Sequence, residues 1–354
     1  MDINKNHLLT VVSAVVSAAG SKTKGAMPIL DNLLIRSDNG TLSATASSLE
    51  IESTSQIASD SQDFELLLNA KKLNDILKTS TSDVLKIDVG DKVKIKSGKS
   101  RFTMVTDDVE SFPFIDGFTP LATINVGGEE LKSKLQSVSY AIAQNDVRYY
   151  LNGLLIDGCG DHINVVATDG HRLAKTSIDT DSGAEGQWII PREAVIEIIK
   201  MIDGDTTIEL SDSKIRVTSG SVTLTSKLID GRFPDYQRVI PAMVNDSFTV
   251  NTKDLRSAIN RAVILSNVKY RSILVGIDKN TMTLKAKNLE SEESDEEFDI
   301  VYDGEKYEIG LNCAYLAEAL SNCGNEANFG VIDSNSPAKL EDGESVHILM
   351  PMRI

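Results

Sequence analysis

Three segments of this 354-residue chain read as a β-strand, then an asparagine or proline, then an amphipathic helix: FELLLNAKKLNDIL, QWIIPREAVIEII and YEIGLNCAYLAEAL. Aligned, they bring Asn69, Pro191 and Asn312 into register, 122 and 121 residues apart. Helices with an apolar i, i+4, i+7 face begin at Leu8 (with Val12 and Val15), Leu131 (Leu135, Val138) and Leu255 (Ile259, Ala262), at spacings of 123 and 124. The alternating strands LSATASSLE, INVVATDGH and MTLKAKNLE align at Ala46, Ala167 and Ala286, 121 and 119 apart. One period shared by separate features predicts three copies of a single domain. The period is far longer than a solenoid unit, so each copy can bury a core of its own.

Within each copy the order reads helix, strands, helix, strands, with strands in the majority. Period-2 alternation is clear at Val93 and Ile95 between Lys92, Lys94 and Lys96, and again in KIRVTSG and VTLTSKL. Turns are expected at Asn39-Gly40, Ser97-Gly98, Asp157-Gly158, Ser219-Gly220, Asp303-Gly304 and Asp342-Gly343. Helices packed on sheets in this arrangement form an α+β fold. The periodic segments separate best near Thr119-Pro120 and between Ala242 and Asp246, giving domains 1–120, 121–244 and 245–354.

Composition narrows the class. No run approaches the roughly 18 apolar residues of a membrane-spanning helix, so no membrane partner is expected. LLTVVSAVVSAAG after Lys5 could pass for a signal-peptide core. Its recurrence as the opening helix of the other two copies argues for structure instead. Three cysteines without CxxC spacing, Cys159, Cys313 and Cys323, imply neither disulfides nor zinc and suit a reducing cytoplasm.

A net charge of −16 weighs against tight binding of nucleic acid. The distribution says more than the sum. The six expected helices carry ten basic residues (Lys71, Lys72, Lys78, Lys132, Lys134, Arg192, Lys200, Lys253, Arg256, Arg261) against seven acidic ones (Asp75, Glu129, Glu130, Glu193, Glu197, Asp254, Glu318). A weakly positive face on a negative body would suit a protein that surrounds a polyanion loosely. Lysines that merely solvate helix surfaces explain the same count. Residues 290–299, ESEESDEEFD, hold seven carboxylates in ten positions. The first copy carries the complement in Lys92, Lys94, Lys96, Lys99 and Arg101, followed by Phe102 and Met104. One reading is two solvated tracts. The other is head-to-tail association, the charges choosing partner and orientation while apolar contacts and strand-edge pairing supply affinity. Two crescents joined at both ends would close into a two-fold ring.

Catalytic signals are sparse. The chain has four histidines, and only His171 sits in a suggestive cluster, Thr168-Asp169-Gly170-His171-Arg172. Acid-base chemistry on a phosphoester is one reading of it. A turn elaborated for binding is the other, since the same position ends the alternating strand in all three copies. No P-loop, GxGxxG, GxSxG or HExxH occurs. No catalytic residue, metal site or cofactor is assigned.

Five stretches carry a resemblance over the whole chain: QNDVRYYLNGLL (144–155), VATDGHRLA (166–174), SKLIDGRFPDYQRVIP (226–241), RAVILSN (261–267) and MPMRI (350–354). They resemble the bacterial DNA sliding clamp, the beta subunit of the replicative DNA polymerase. The resemblance implies clamp-type domains, two helices packed on β-sheets in each, three to a protomer and six to a homodimeric ring. Such a ring encircles double-stranded DNA without reading its sequence, tethers the polymerase and other proteins bearing a clamp-binding motif, and needs an ATP-driven clamp loader.

The resemblance also implies sites. A pocket for partner peptides would be lined by Leu151, Thr168, Gly170, His171, Arg172 and Leu173, by Pro234, Arg238 and Val239, and by Met350, Pro351, Met352 and Arg353. Leucine, valine and methionine would form an adaptable apolar slot. Without the resemblance, Met350 and Met352 read as strand core. DNA contacts would fall at Lys24, Asn145, Arg148, Tyr149 and Tyr150, although either tyrosine could equally be a core residue. The protomer contact would bring Ile264 and Leu265 against Phe102 and Met104. Lys72, Lys92, Lys99 and Arg101 would oppose Glu290, Glu292, Glu293 and Glu296. Gln237 stands where an arginine is frequent in the family, and Ile354 where leucine usually closes the chain.

Overall fold

The computed structural model describes residues 1–20, 27–241, 246–266 and 271–353. Six α-helices are present among them: α1 (Lys5–Val15), α2 (Ala70–Thr79), α3 (Gly128–Ser139), α4 (Arg192–Met201), α5 (Thr252–Ala262) and α6 (Cys313–Ser321). They fall in pairs at the expected period. The apolar stripes predicted from Leu8, Leu131 and Leu255 are buried in every copy. The recurring asparagines are helix caps. Asn69 accepts a hydrogen bond from the backbone of Lys72, and Asn312 from Ala314 and Tyr315, so each satisfies amides that have no partner inside the helix. Asn4 and Asn251 do the same for α1 and α5. The middle copy departs at both places, with Gly127 before α3 and Pro191 before α4.

The chain forms two compact units, residues 1–130 with 193–228, and residues 131–192 with 229–354. In the first, an antiparallel sheet of eight strands runs in the order Phe64–Asn69, Asn32–Asp38, Thr41–Ser47, Ile51–Ala58, Val222–Lys227, Lys214–Ser219, Thr206–Leu210, Ala122–Val126. The step from Ser55 to Val222 carries the sheet from the first copy into the second. A four-stranded sheet, Asp2–Asn4, Val84–Val89, Lys92–Ser97, Ser100–Val105, completes the unit, and Ser100–Val105 is its edge. Leu8, Val12 and Val15 of α1 and Leu73 and Leu77 of α2 share one core with both sheets.

In the second unit a six-stranded sheet runs Gly153–Thr168, Arg172–Pro191, Ser345–Leu349, Ala338–Asp342, Glu326–Val331, Asp246–Asn251. Pairing of Arg172 with Leu349 through Lys175 with Val346 joins the second copy to the third. The accompanying four-stranded sheet is Glu293–Asp299, Thr281–Lys287, Ser272–Asp278, Tyr307–Asn312. The acidic run is therefore neither a tail nor a loop; most of it is an edge strand. Leu255 and Ile259 of α5 and Leu316 and Leu320 of α6 close the core over these sheets. A smaller cluster of Leu155, Val166, Leu173, Ile189, Phe233, Tyr236 and Ile348 lies apart from it.

Two expected turns are absent. Asp157-Gly158 runs inside the 16-residue strand Gly153–Thr168, because Gly158 serves close approach there: a Cβ on it would fall 2.5 Å from the carbonyl oxygen of Ala184. Asp303-Gly304 is a bend outside the strands and not a hairpin turn. The three cysteines are free thiols, and no helix among the described residues is long and apolar enough to cross a membrane.

Asn312→Ala leaves two amides of α6 without their acceptor, and a lost cap costs about 1 kcal/mol. A lowered urea midpoint checks this, with Asn312→Asp expected to retain most of the stability.

Candidate functional site

The turn joining the two longest strands organises the site. The Asp169 carboxylate accepts hydrogen bonds from the backbone N–H of His171 at 2.9 Å and of Arg172 at 3.0 Å. The Thr168 hydroxyl donates to the carbonyl of Arg172 at 2.6 Å and accepts from the Gly170 N–H at 3.1 Å. Gly170 has φ +86°, the left-handed region that favours glycine, and a Cβ there would meet Nη1 of Arg148 at 2.9 Å. The turn's own polar groups thus hold its shape. Asp169 is taken up by that task and not poised as a partner for His171, whose ring instead lies against Tyr315 at 6.4 Å.

Beside the turn is a cavity of about 200 Å³. Eight of the expected residues line it: Leu151, Thr168, Gly170, Arg172, Leu173, Pro234, Val239 and Met350. His171, Arg238, Pro351, Met352 and Arg353 do not. Arg238 is exposed and pairs with Asp235 at 2.7 Å. The backbone of Met352 is bound to Gly310, its N–H donating to that carbonyl at 2.8 Å. The lining also includes Arg148, Tyr150, Asp235, Tyr236 and Ile348, which the pocket assignment missed. For Ile348 a signal existed: it precedes Met350 by two residues and shares its face. Leu173, Tyr236 and Ile348 belong to the separate apolar cluster, so the floor has its own packing. The Tyr236 hydroxyl donates to Asp157 at 2.7 Å, and burial followed by that hydrogen bond pushes its pKa up.

Residues 144–148 form a loop at the rim that leads into a short 3-10 helix, Tyr149–Asn152. Lys24 lies outside the described residues. Asn145 is exposed with φ +57°. Arg148 grips Asp146 through Nε at 3.0 Å and Nη2 at 2.9 Å, and these hydrogen bonds hold the carboxyl down at about 2. Tyr149 is open to solvent, 58% exposed, whereas Tyr150 packs on the pocket's apolar cluster. The two tyrosines have different surroundings despite being neighbours.

The acidic tract lies on a sheet edge, whereas the basic tract spans the edge strand Ser100–Val105 and the interior strand Lys92–Ser97 beside it. Lys92, Lys94 and Lys96 share the exposed face of their strand while Val93 and Ile95 enter the core. Lys72, Lys99 and Arg101 are exposed as well. Phe102 is half-buried. Met104 is turned into the core of its own copy. Ile264 is 76% exposed and Leu265 half-buried. Glu290, Glu292 and Glu293 are exposed, Glu293 being paired with Lys287 at 2.5 Å, and the half-buried Glu296 is engaged by Arg261 at 2.7 Å.

Comparison with known proteins follows this architecture copy by copy. Family models described as the N-terminal, central and C-terminal domains of the DNA polymerase III beta subunit match residues 1–116, 125–235 and 237–353. The chain belongs to the DNA polymerase III beta subunit family, the bacterial sliding clamps. A beta sliding clamp of Pseudomonas aeruginosa is 37% identical over 342 residues, covering 93% of each chain. The structure of the DNA polymerase III subunit beta from that organism superposes with a TM-score of 0.95 at 35% identity over the whole of both chains. A sliding clamp from P. aeruginosa solved bound to griselimycin gives 0.95 at 34% identity, over 100% of this chain and 99% of that one. The clamp has three repeated α+β domains and works as a processivity factor for a DNA polymerase, not as an enzyme.

His347 stands behind the pocket wall. Its Nδ1 meets the Tyr140 hydroxyl at 2.9 Å, and its Nε2 is buried without a partner. Burial, against a smaller upward pull from Asp342, holds the imidazole down at about 4 from its ordinary 6.5. The folded clamp thus favours the neutral ring. The resulting stability is present above pH 6.5 and is lost as pH falls toward about 4, a loss on the order of 3 kcal/mol. Urea midpoints across that window check it, since a His347→Leu clamp is expected to show a flatter profile.

Proposed function

We propose that two copies of the clamp, each with domains 1–120, 121–244 and 245–354, associate head to tail and close a six-domain ring around duplex DNA in the cytoplasm. The observation that carries this is a pair of sheet edges of opposite charge. The Ser100–Val105 strand ends one four-stranded sheet beside a row of lysines, and the carboxylate-rich Glu293–Asp299 strand ends another. Each edge offers unpaired backbone groups, which is both an aggregation liability and a template for pairing with a second chain. Phe102, Ile264 and Leu265 supply apolar contact. Lys72, Lys92, Lys99 and Arg101 oppose Glu290, Glu292 and Glu293.

Encirclement removes the need for grip. An acidic protein is repelled by phosphate, and firm contacts would hinder sliding. A few weak ones, from Lys24, Asn145, Arg148, Tyr149 and Tyr150, suffice to guide the duplex. Because a closed ring cannot thread a circular duplex, a clamp loader must open it. The pocket beside Gly170 takes a short peptide from the polymerase and from other partners, with leucine or phenylalanine side chains in the apolar slot. Its mostly apolar wall and few polar groups suit such a ligand.

Three experiments test these statements. Sedimentation is expected to give a dimer that weakens only modestly at high salt, because exposed ion pairs contribute about 0–1 kcal/mol each. Clamp loaded on a nicked circle is expected to leave once the circle is linearised. A monomer at all salts, or persistence on open linear ends, overturns the ring. Separately, removing residues 350–354 is expected to leave the dimer intact and abolish binding of a polymerase-derived peptide, as fluorescence polarisation would show.

A further inference from the structure

Arg172 lines the pocket, yet its guanidinium is already occupied. The residue is 9% exposed and directs its three nitrogens at three acceptors. Nε donates to Asp169 at 3.1 Å, Nη2 to the carbonyl of Tyr140 at 2.9 Å, and Nη1 to the carboxylate of Glu318. Two rings hold its plane, with Cζ 5.0 Å from the centre of Tyr140 and 4.4 Å from that of Tyr315. Tyr315 and Glu318 lie on α6, whereas Asp169 belongs to the 168–172 turn. Arg148 and Arg238 are different: their side chains are 46% and 83% exposed, and each is bound to a carboxylate of its own local segment, Asp146 and Asp235.

We infer that Arg172 is a positioning residue of the peptide pocket, fastening α6 to the turn from which the pocket wall hangs. The inference rests on the peptide reading above. The turn carries Thr168 and Gly170 into the lining and leads directly to Leu173. Its His171 carbonyl accepts the N–H of Met350 at 2.9 Å, so the opposite wall is hung from the same few residues. Freeing the guanidinium loosens both walls together. Charge on a bound peptide is left to the exposed Arg148 and Arg238, because Arg172 is buried, its plane is covered by two rings, and three of its five N–H donors are already spent on protein acceptors.

The test uses the full-length clamp and two synthetic peptides with the same leucine and phenylalanine, one carrying Asp and the other Asn at a single position. Kd is read by fluorescence polarisation well below the melting temperature of each variant, where a contact that only stabilises the fold leaves affinity unchanged. Arg172→Gln is expected to weaken both peptides by the same factor, roughly tenfold. Glu318→Gln, outside the pocket lining, is expected to weaken both in the same direction, and the double variant to lose little beyond Arg172→Gln alone. Selective loss of the Asp peptide in Arg172→Gln, or full affinity in Glu318→Gln, overturns the positioning role while leaving the pocket standing. Failure of the unaltered clamp to bind either peptide overturns the pocket and this inference together.

Discussion

Backbone pairing across the repeats is the constraint on which the rest of each unit depends. Strand Ile51–Ala58 hands its sheet to Val222–Lys227, and Arg172–Pro191 hands another to Ser345–Leu349. These joins are made of peptide groups that every sequence possesses, so they survive wide divergence of side chains. They also resist sliding, since a shift of one residue would turn every buried side chain toward solvent. Two domains sharing a sheet cannot rotate about the join without breaking a ladder of hydrogen bonds. A pocket assembled from residues on either side of the second join, Leu173 with Ile348, inherits that rigidity.

What could be read from the residues follows from what repeats. A buried helix stripe and an asparagine cap recur because each copy solves the same problem, namely covering a sheet and satisfying the first amides of a helix. Asn69 and Asn312 were visible as alignment marks before their chemistry was. Asn4 and Asn251 carry the same signal one helix earlier, spaced 123 and 124 residues from Gly127 between them, and only the glycine obscures it. The turn at Asp157-Gly158 misled for a different reason. A glycine after an aspartate marks a hairpin when the chain must reverse, but here it marks an extended strand passing too near Ala184 for a side chain. Sequence alone does not separate the two uses, because close approach depends on a segment more than twenty residues away.

The candidate site was legible where function rests on apolar lining and less so where it rests on polar partners. Leu151, Leu173, Pro234, Val239 and Met350 meet around one cavity. Arg148 and Tyr150 were assigned to DNA and yet line the same cavity, and Arg172 was assigned to the ligand and yet holds Glu318 and Tyr140. A side chain of that length reaches whichever acceptor the fold supplies, and the acceptors of Arg172 come from positions 140, 169 and 318. Spacing within a motif carries no information about such partners. Residues of one motif can therefore act on different objects.

The acidic strand shows the same principle through charge. A run of carboxylates has the composition of a disordered tail, and pairing them into a sheet brings like charges close. The structure offsets this locally: Lys285 and Lys287 of the neighbouring strand meet Asp295 at 3.3 Å and Glu293 at 2.5 Å, while Arg261 holds Glu296. Both lysine pairs are exposed and individually weak. Together they lower the cost of ordering the strand, and alternation places Ser294, Glu296 and Phe298 on its less exposed face. An edge stabilised in this way remains strongly negative on its outer face, which disfavours pairing with another copy of itself. Carboxylates on a strand edge thus discriminate against a like edge, as apolar residues, whose attraction is indifferent to partner, would not.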